Sequence, residues 1–157
     1  MDKRTELRRR NRDPRRLFLV DIENAVGSGA VDEESCRRVR DRVIRDCKPN
    51  AGDMTVIGIS HSGNAFPAAA WGSVRLVFRK GPSGADLELE RVLSTECVEY
   101  RFDEVVIISG DGQFATQTAR LRERGVKVTV DSRPHAPSRR LAVSCSAVWF
   151  APDYPAA

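Results

Sequence analysis

The sequence predicts a three-layer α/β/α domain on a mostly parallel central sheet of about five strands. Two observations carry that expectation. Short apolar, β-branched runs alternate with longer amphipathic segments along most of the chain. The runs are also apolar without a break, as in LFLV (17–20) and EVVII (104–108), which suits strands covered on both faces.

The elements follow in order. Leu17–Val20 reads as the first strand, with Asp21-Ile-Glu-Asn and a loop containing Gly27 and Gly29 after it. Residues 32–47 place Cys36, Val39, Val43, Ile44 and Cys47 at helical spacing behind an acidic first turn, and Pro49, Asn50 and Gly52 stop the helix. Residues 54–60 form the second strand, and His61–Asn64 a loop at the carboxyl edge that could contact a ligand but is more often merely solvated. A short helix is expected over 66–72, then a strand over 74–78. The turn-rich Lys80–Gly84 leads into a helix over 85–99, with Leu87, Leu89, Val92, Leu93 and Val98 on its apolar side. The fourth strand, 104–108, is cut off by Ser109-Gly-Asp-Gly112. A helix over 113–124 stops at Gly125, and 126–130 is the fifth strand. His135 reads as a loop residue between prolines. A short helix near 138–144 and a last short strand at 147–150 close the domain.

The 157 residues fit one domain, 17–152, with a basic arm (1–16) before it and a short tail (153–157) after it. The arm holds eight Lys or Arg against three acids, a net of +5, whereas the remaining chain is at −1. Such arms engage polyanions, nucleic acid above all, and Arg8, Arg9, Arg10, Arg15 and Arg16 are the residues expected to do so. A solubilising leader is the ordinary alternative. No run approaches the roughly eighteen apolar residues of a membrane span, and the charged N-terminus is unlike a signal peptide. A cytoplasmic location without membrane contact is therefore expected. Four cysteines without Cys-x-x-Cys spacing and only two histidines leave little for a zinc site, so Cys36, Cys47, Cys97 and Cys145 read as buried thiols. Trp71 and Trp149 read as packing residues.

Open α/β sheets bind ligands beyond the carboxyl ends of their strands. Asp21 directly follows the first strand, Asp111 follows the fourth, and Asp86 opens the helix after the third. One such aspartate is ordinarily a cap or turn residue. Three on one edge repel one another and raise a pKa unless a hard divalent cation intervenes. Asp21, Asp86 and Asp111 are thus expected to bind Mg²⁺ or Mn²⁺ and to be catalytic, in phosphoryl transfer or phosphodiester hydrolysis.

The segments LFLVDIEN (17–24), KGPSGADLELE (80–90) and VVIISGDGQFATQTARLRERGVKVTV (105–130) resemble, in order and spacing, the NYN domain of the PIN-like ribonuclease superfamily. That resemblance covers about residues 17–150. It implies a PIN-like fold and metal-dependent endoribonuclease activity on single-stranded or structured RNA, with Asp21, Asp86 and Asp111 as the metal-binding acids. Asn24 matches the asparagine that steadies a carboxylate or phosphate, and Ser109 the small hydroxyl near the metal. The sequence departs from the pattern at Gln113, where the family usually has another acid. A neutral amide cannot balance a second cation's charge. Glu23, Glu88 and Glu90 are candidate substitutes, and only Glu90 shares the helical face of Asp86.

Three rivals stand beside this reading. A nucleotide-cofactor site lacks the third glycine of G-x-G-x-x-G, which falls at Asp32. A haloacid-dehalogenase-like phosphatase needs Asp-x-Asp, whereas the chain has Asp21-x-Glu23. A catalytically weak or inactive PIN-like module that binds RNA or a protein partner is favoured by Gln113 and opposed by the three aspartates. The oligomeric state is open, a homodimer included.

Overall fold

The computed structural model describes residues 12–132 and 137–149. Their sheet has six strands, all parallel: β1 (Arg16–Asp21), β2 (Met54–Ile59), β3 (Arg75–Phe78), β4 (Glu104–Ile108), β5 (Lys127–Asp131) and β6 (Ala147–Trp149). The spatial order is β3-β2-β1-β4-β5-β6. The last short run thus joins the sheet as β6, beside β5, which makes six strands where about five are expected.

Helices cover both faces. On one side lie α1 (Ile22–Val26), α2 (Glu33–Cys47) and α3 (Ala65–Ala69); on the other lie α4 (Gly84–Thr95), α5 (Val98–Arg101), α6 (Ala115–Glu123) and α7 (Arg139–Ser144). Alternate residues of β1 serve the two cores: Leu17 and Leu19 pack with Leu89, Leu93 and Phe114, while Phe18 and Val20 pack with Cys36, Val39 and Val43. This division is why the strand is apolar at every position.

The boundaries follow local chemistry. Asp32 accepts the backbone N–H of Ser35 at 2.7 Å, and the Ser35 hydroxyl accepts the N–H of Asp32 in return, a capping box that starts α2. Lys48 ends that helix in the left-handed region (φ 45°).

The segment after Asp21 forms a single-turn helix, α1, because the Asp21 side chain caps it by accepting the N–H of Asn24. Three expectations are corrected. The 85–99 helix is two helices, broken at Cys97 (φ 51°). The break re-aims the chain so that Val98 and Phe102 enter the core. Leu87 faces outward at 39% exposure, whereas Leu89, Val92 and Leu93 are buried. Cys97 is exposed, while the other three thiols are buried as expected.

No helix among the described residues is long and apolar enough to cross a membrane.

Candidate active site

The strand order places a topological switch point between β1 and β4: the chain leaves β1 toward β2 and β3, then returns to the other side as β4. Asp21 ends β1, and Ser109-Gly-Asp111 follows β4, so the two segments straddle the crevice where such sheets bind ligands. Asp86 arrives from the third direction, in the first turn of α4.

Small residues bring α4 this close. A Cβ on Gly84 would stand 1.8 Å from the Arg79 carbonyl oxygen, so no other residue fits there without moving backbone. A Cβ on Gly58 would lie 2.8 Å from the Leu89 side chain, so Gly58 lets α4 settle onto β2. Ser60, at the end of β2, accepts the N–H of Ala85 at 3.1 Å and satisfies one of the first amides of α4. Ser83, just before the helix, takes a left-handed backbone (φ 58°) unusual for a serine.

The acids differ in environment. Asp21 is buried; one oxygen accepts the N–H of Asn24 at 3.2 Å, and the other faces the Ser109 hydroxyl at 3.4 Å. Burial pushes its carboxyl up, while hydrogen bonding from Asp86, Asn24 and Ser109 opposes the shift. Asp111 is half-buried and accepts the N–H of Gln113 at 2.8 Å. Asp86 is buried and lies beside both. Burial, then the proximity of Asp21 and Asp111, pushes it up to about 9. Its Oδ1 is buried without any hydrogen-bond donor.

An orphaned carboxylate oxygen beside two further carboxyls is a set of hard-oxygen donors, the donor chemistry that divalent cations take. The side chains are neighbours but not a closed cage. Among the described residues, no group of three or more His, Cys, Asp or Glu is gathered as a ready-made metal site. Asp21 and Asp111 each commit an oxygen to the turn that follows them.

The supporting residues knit the two sides together. Asn24 Oδ1 accepts the N–H of Gly110 at 3.1 Å, fixing the Asp111 loop to α1. Ser109 is buried, and its hydroxyl accepts the N–H of Asp111 at 3.2 Å. Gln113 Nε2 donates to Glu90 Oε2 at 3.1 Å, so the two residues singled out separately in the sequence meet.

Other candidates are occupied elsewhere. Glu23 Oε1 accepts from the N–H groups of Ser60 and His61 and from the Asn64 amide at 2.7 Å, and so braces the loop after β2. Burial alone would raise Glu23, but these hydrogen bonds win and hold it low. Asn64 is itself buried and also donates to the Gly29 carbonyl, which makes it a structural residue of that loop. His61 is exposed beside Glu23. Glu88 pairs with Arg91 at 2.9 Å.

Two of the five arginines expected to hold RNA are visible, and they stand at the opposite end of the sheet from the acids. Arg16 opens β1 and does not belong to an arm: its guanidinium binds Asp53 at 2.9 Å and the carbonyls of Cys47 and Lys48. Arg15 donates to the Gly52 carbonyl and lies over the Phe102 ring. Both guanidinium groups hold chain segments together. Arg8, Arg9, Arg10 and His135 lie outside the described residues. Sequence reasoning missed the bracing role of Ser60, since nothing in a lone serine after a strand signals it.

Residues 74–150 match the sequence model of the NYN domain, a stretch just under half of the chain that carries Asp86 and Asp111. No curated protein matches the chain in sequence. Among solved structures it is similar to the crystal structure of a protein of unknown function from Vibrio parahaemolyticus RIMD 2210633, with a TM-score of 0.62 and 19% identity. That likeness covers 88% of this chain and 93% of the other and shows the fold alone. Over residues 74–150 the chain is thus similar to the NYN domain, which is grouped with the PIN-like superfamily.

Proposed function

We propose that this chain is a metal-dependent endoribonuclease that hydrolyses RNA phosphodiester bonds at Asp21, Asp86 and Asp111. The observation that carries the reading is the buried Asp86 carboxyl, pushed up to about 9 between two other acids, with one oxygen lacking any donor. A fold tolerates such a group when function needs it. The three aspartates would hold Mg²⁺ or Mn²⁺, which when bound supplies an activated water and offsets the charge of the leaving oxygen.

The chain's own residues prepare the site. Asn24 and Ser109 fix the backbone of the Asp111 loop against α1 and Asp21. Ser60 and Gly84 hold the first turn of α4, and hence Asp86, at the switch point. Glu90, hydrogen-bonded to Gln113, is a carboxylate beside the position where the family usually has its further acid. We assign it the part of that missing charge, as a positioning residue for cation or substrate.

The test is cleavage of a mixed RNA pool by purified protein with Mn²⁺ or Mg²⁺ over a range of pH. Asp111→Asn should reduce cleavage by about a thousandfold. Its melting temperature should hardly change, because the asparagine oxygen still accepts the Gln113 N–H. Glu90→Gln should lower cleavage and Gln113→Glu raise it. RNA left intact under all these conditions would overturn the reading. The second reading, an inactive module that binds RNA or a protein, draws on the neutral Gln113; it would then stand.

A further inference from the structure

Most arginines and lysines of the described residues are engaged by carboxylates or carbonyls. Arg37, Arg38, Arg75, Arg120 and Lys127 all hold acids within 3.2 Å. Four side chains near the carboxyl edge hold none: Arg79 and Lys80 on one flank, Arg139 and Arg140 on the other. All four are exposed.

Their placement is fixed by the same contacts that build the site. The Arg79 backbone is packed against Gly84, two residues from Asp86. On the far side, the N–H of Ser138 donates to the Gly110 carbonyl at 2.9 Å, and a Cβ on Gly112 would stand 2.7 Å from the Ser138 hydroxyl. Arg139 and Arg140 therefore begin α7 directly beside the Asp111 loop. The flanks are three strands apart, from β3 to β4, or about 14 Å at ordinary strand spacing. One phosphate cannot reach both.

Resting on the nuclease reading above, we propose that single-stranded RNA lies along the carboxyl edge across the acids, with Arg79 and Lys80 holding one phosphate stretch and Arg139 and Arg140 another. The acids in the middle and the cations on both sides suit an internal phosphate at the metal with neighbouring phosphates held outward. An acidic peptide is a poorer fit. Phe78, 48% exposed directly before Arg79, offers a face on which a base can stack, and a carboxylate side chain gains nothing there. The arrangement moves the expected RNA contacts from Arg15 and Arg16, at the other end of the sheet, to residues the sequence reading did not single out.

The experiment measures binding of a labelled twelve-nucleotide single-stranded RNA to full-length Asp111→Asn protein in EDTA, at several salt concentrations. Arg79→Ala/Lys80→Ala and Arg139→Ala/Arg140→Ala should each weaken binding at least about fivefold. Each should also flatten the salt slope by about 1.4, at roughly 0.7 per phosphate contact on a single strand. Arg37→Ala/Arg38→Ala removes the same charge from paired arginines of α2 and should change binding less than about twofold. Equal weakening by all three variants would mean that net charge alone attracts the strand, and would overturn the proposal. So would tighter binding of an acidic peptide of equal charge. The readout needs neither metal nor turnover, so the two ideas fail separately. RNA that binds through both flanks but is never cleaved preserves this proposal and sinks the nuclease; RNA that is cleaved yet indifferent to both flanks does the reverse.

Discussion

The two ends of the sheet are both charged, and they handle charge in opposite ways. At the amino end, Arg16 meets Asp53, Arg12 and the Arg15 N–H meet Asp103, and Lys127 meets Glu104. Each acid there faces a cation or a backbone N–H. At the carboxyl end, Asp21, Asp86 and Asp111 face one another. Charge pairing that locks strands in register serves the fold. Like charges pressed together cost stability, and their retention points to a ligand.

This contrast can be broken by mutation. The largest effect is expected at the amino end. Asp53→Ala leaves the nearly buried Arg16 without its partner and frees the N–H groups of Arg16 and Asn50, at a cost of about 3 kcal/mol in chemical denaturation. A loss below about 1 kcal/mol would erase the distinction between the ends.

The opposite sign is expected at the carboxyl end. Asp86→Asn replaces a carboxyl that must take up a proton to fold at pH 8 and should stabilise the metal-free protein there by about 1 kcal/mol. The pH dependence sharpens this. Asp86 has an ordinary value of 3.8 and is pushed up to about 9 in the fold, so the native state binds the extra proton across that window. The contribution of Asp86 to stability is therefore full below about 4 and is lost as pH rises toward 9. A metal-free melting curve should fall over this range, and both Asp86→Asn and added Mn²⁺ should flatten it. A wild-type profile as flat as that of the variant would refute the account.

The smallest effect belongs to neither end. Arg38→Ala breaks an exposed pair with Glu34 on α2 and should cost less than about 0.5 kcal/mol.

Much of the fold is legible in the sequence because burial on both faces leaves a periodic signature. β1, β2, β4 and β5 fall within a residue or so of where their apolar runs place them. The misses have local causes. No periodicity marks the single turn of α1, which depends on one side-chain cap at Asp21. The break at Cys97 turns on a left-handed residue that is not glycine. At the site, the three aspartates were visible because each sits where a strand ends or the helix after it begins. The Glu90–Gln113 bond was not, since it joins helical segments 23 residues apart through side chains alone. Nor was the role of Arg16, which looked like the end of a basic arm and is the first residue of the central sheet.

The position of β1 also bears on how the protein is made. β1 pairs with β2 on one side and with β4 on the other, and the second pairing spans more than eighty residues. A growing chain can build β1, β2 and β3 early, but one edge of β1 stays open until residues 104–108 have left the ribosome. The strand that closes this edge is the one that delivers Asp111. Completing the sheet and assembling the acids are thus one event, and an abandoned chain that stops short of it has neither a closed core nor the three aspartates on one edge.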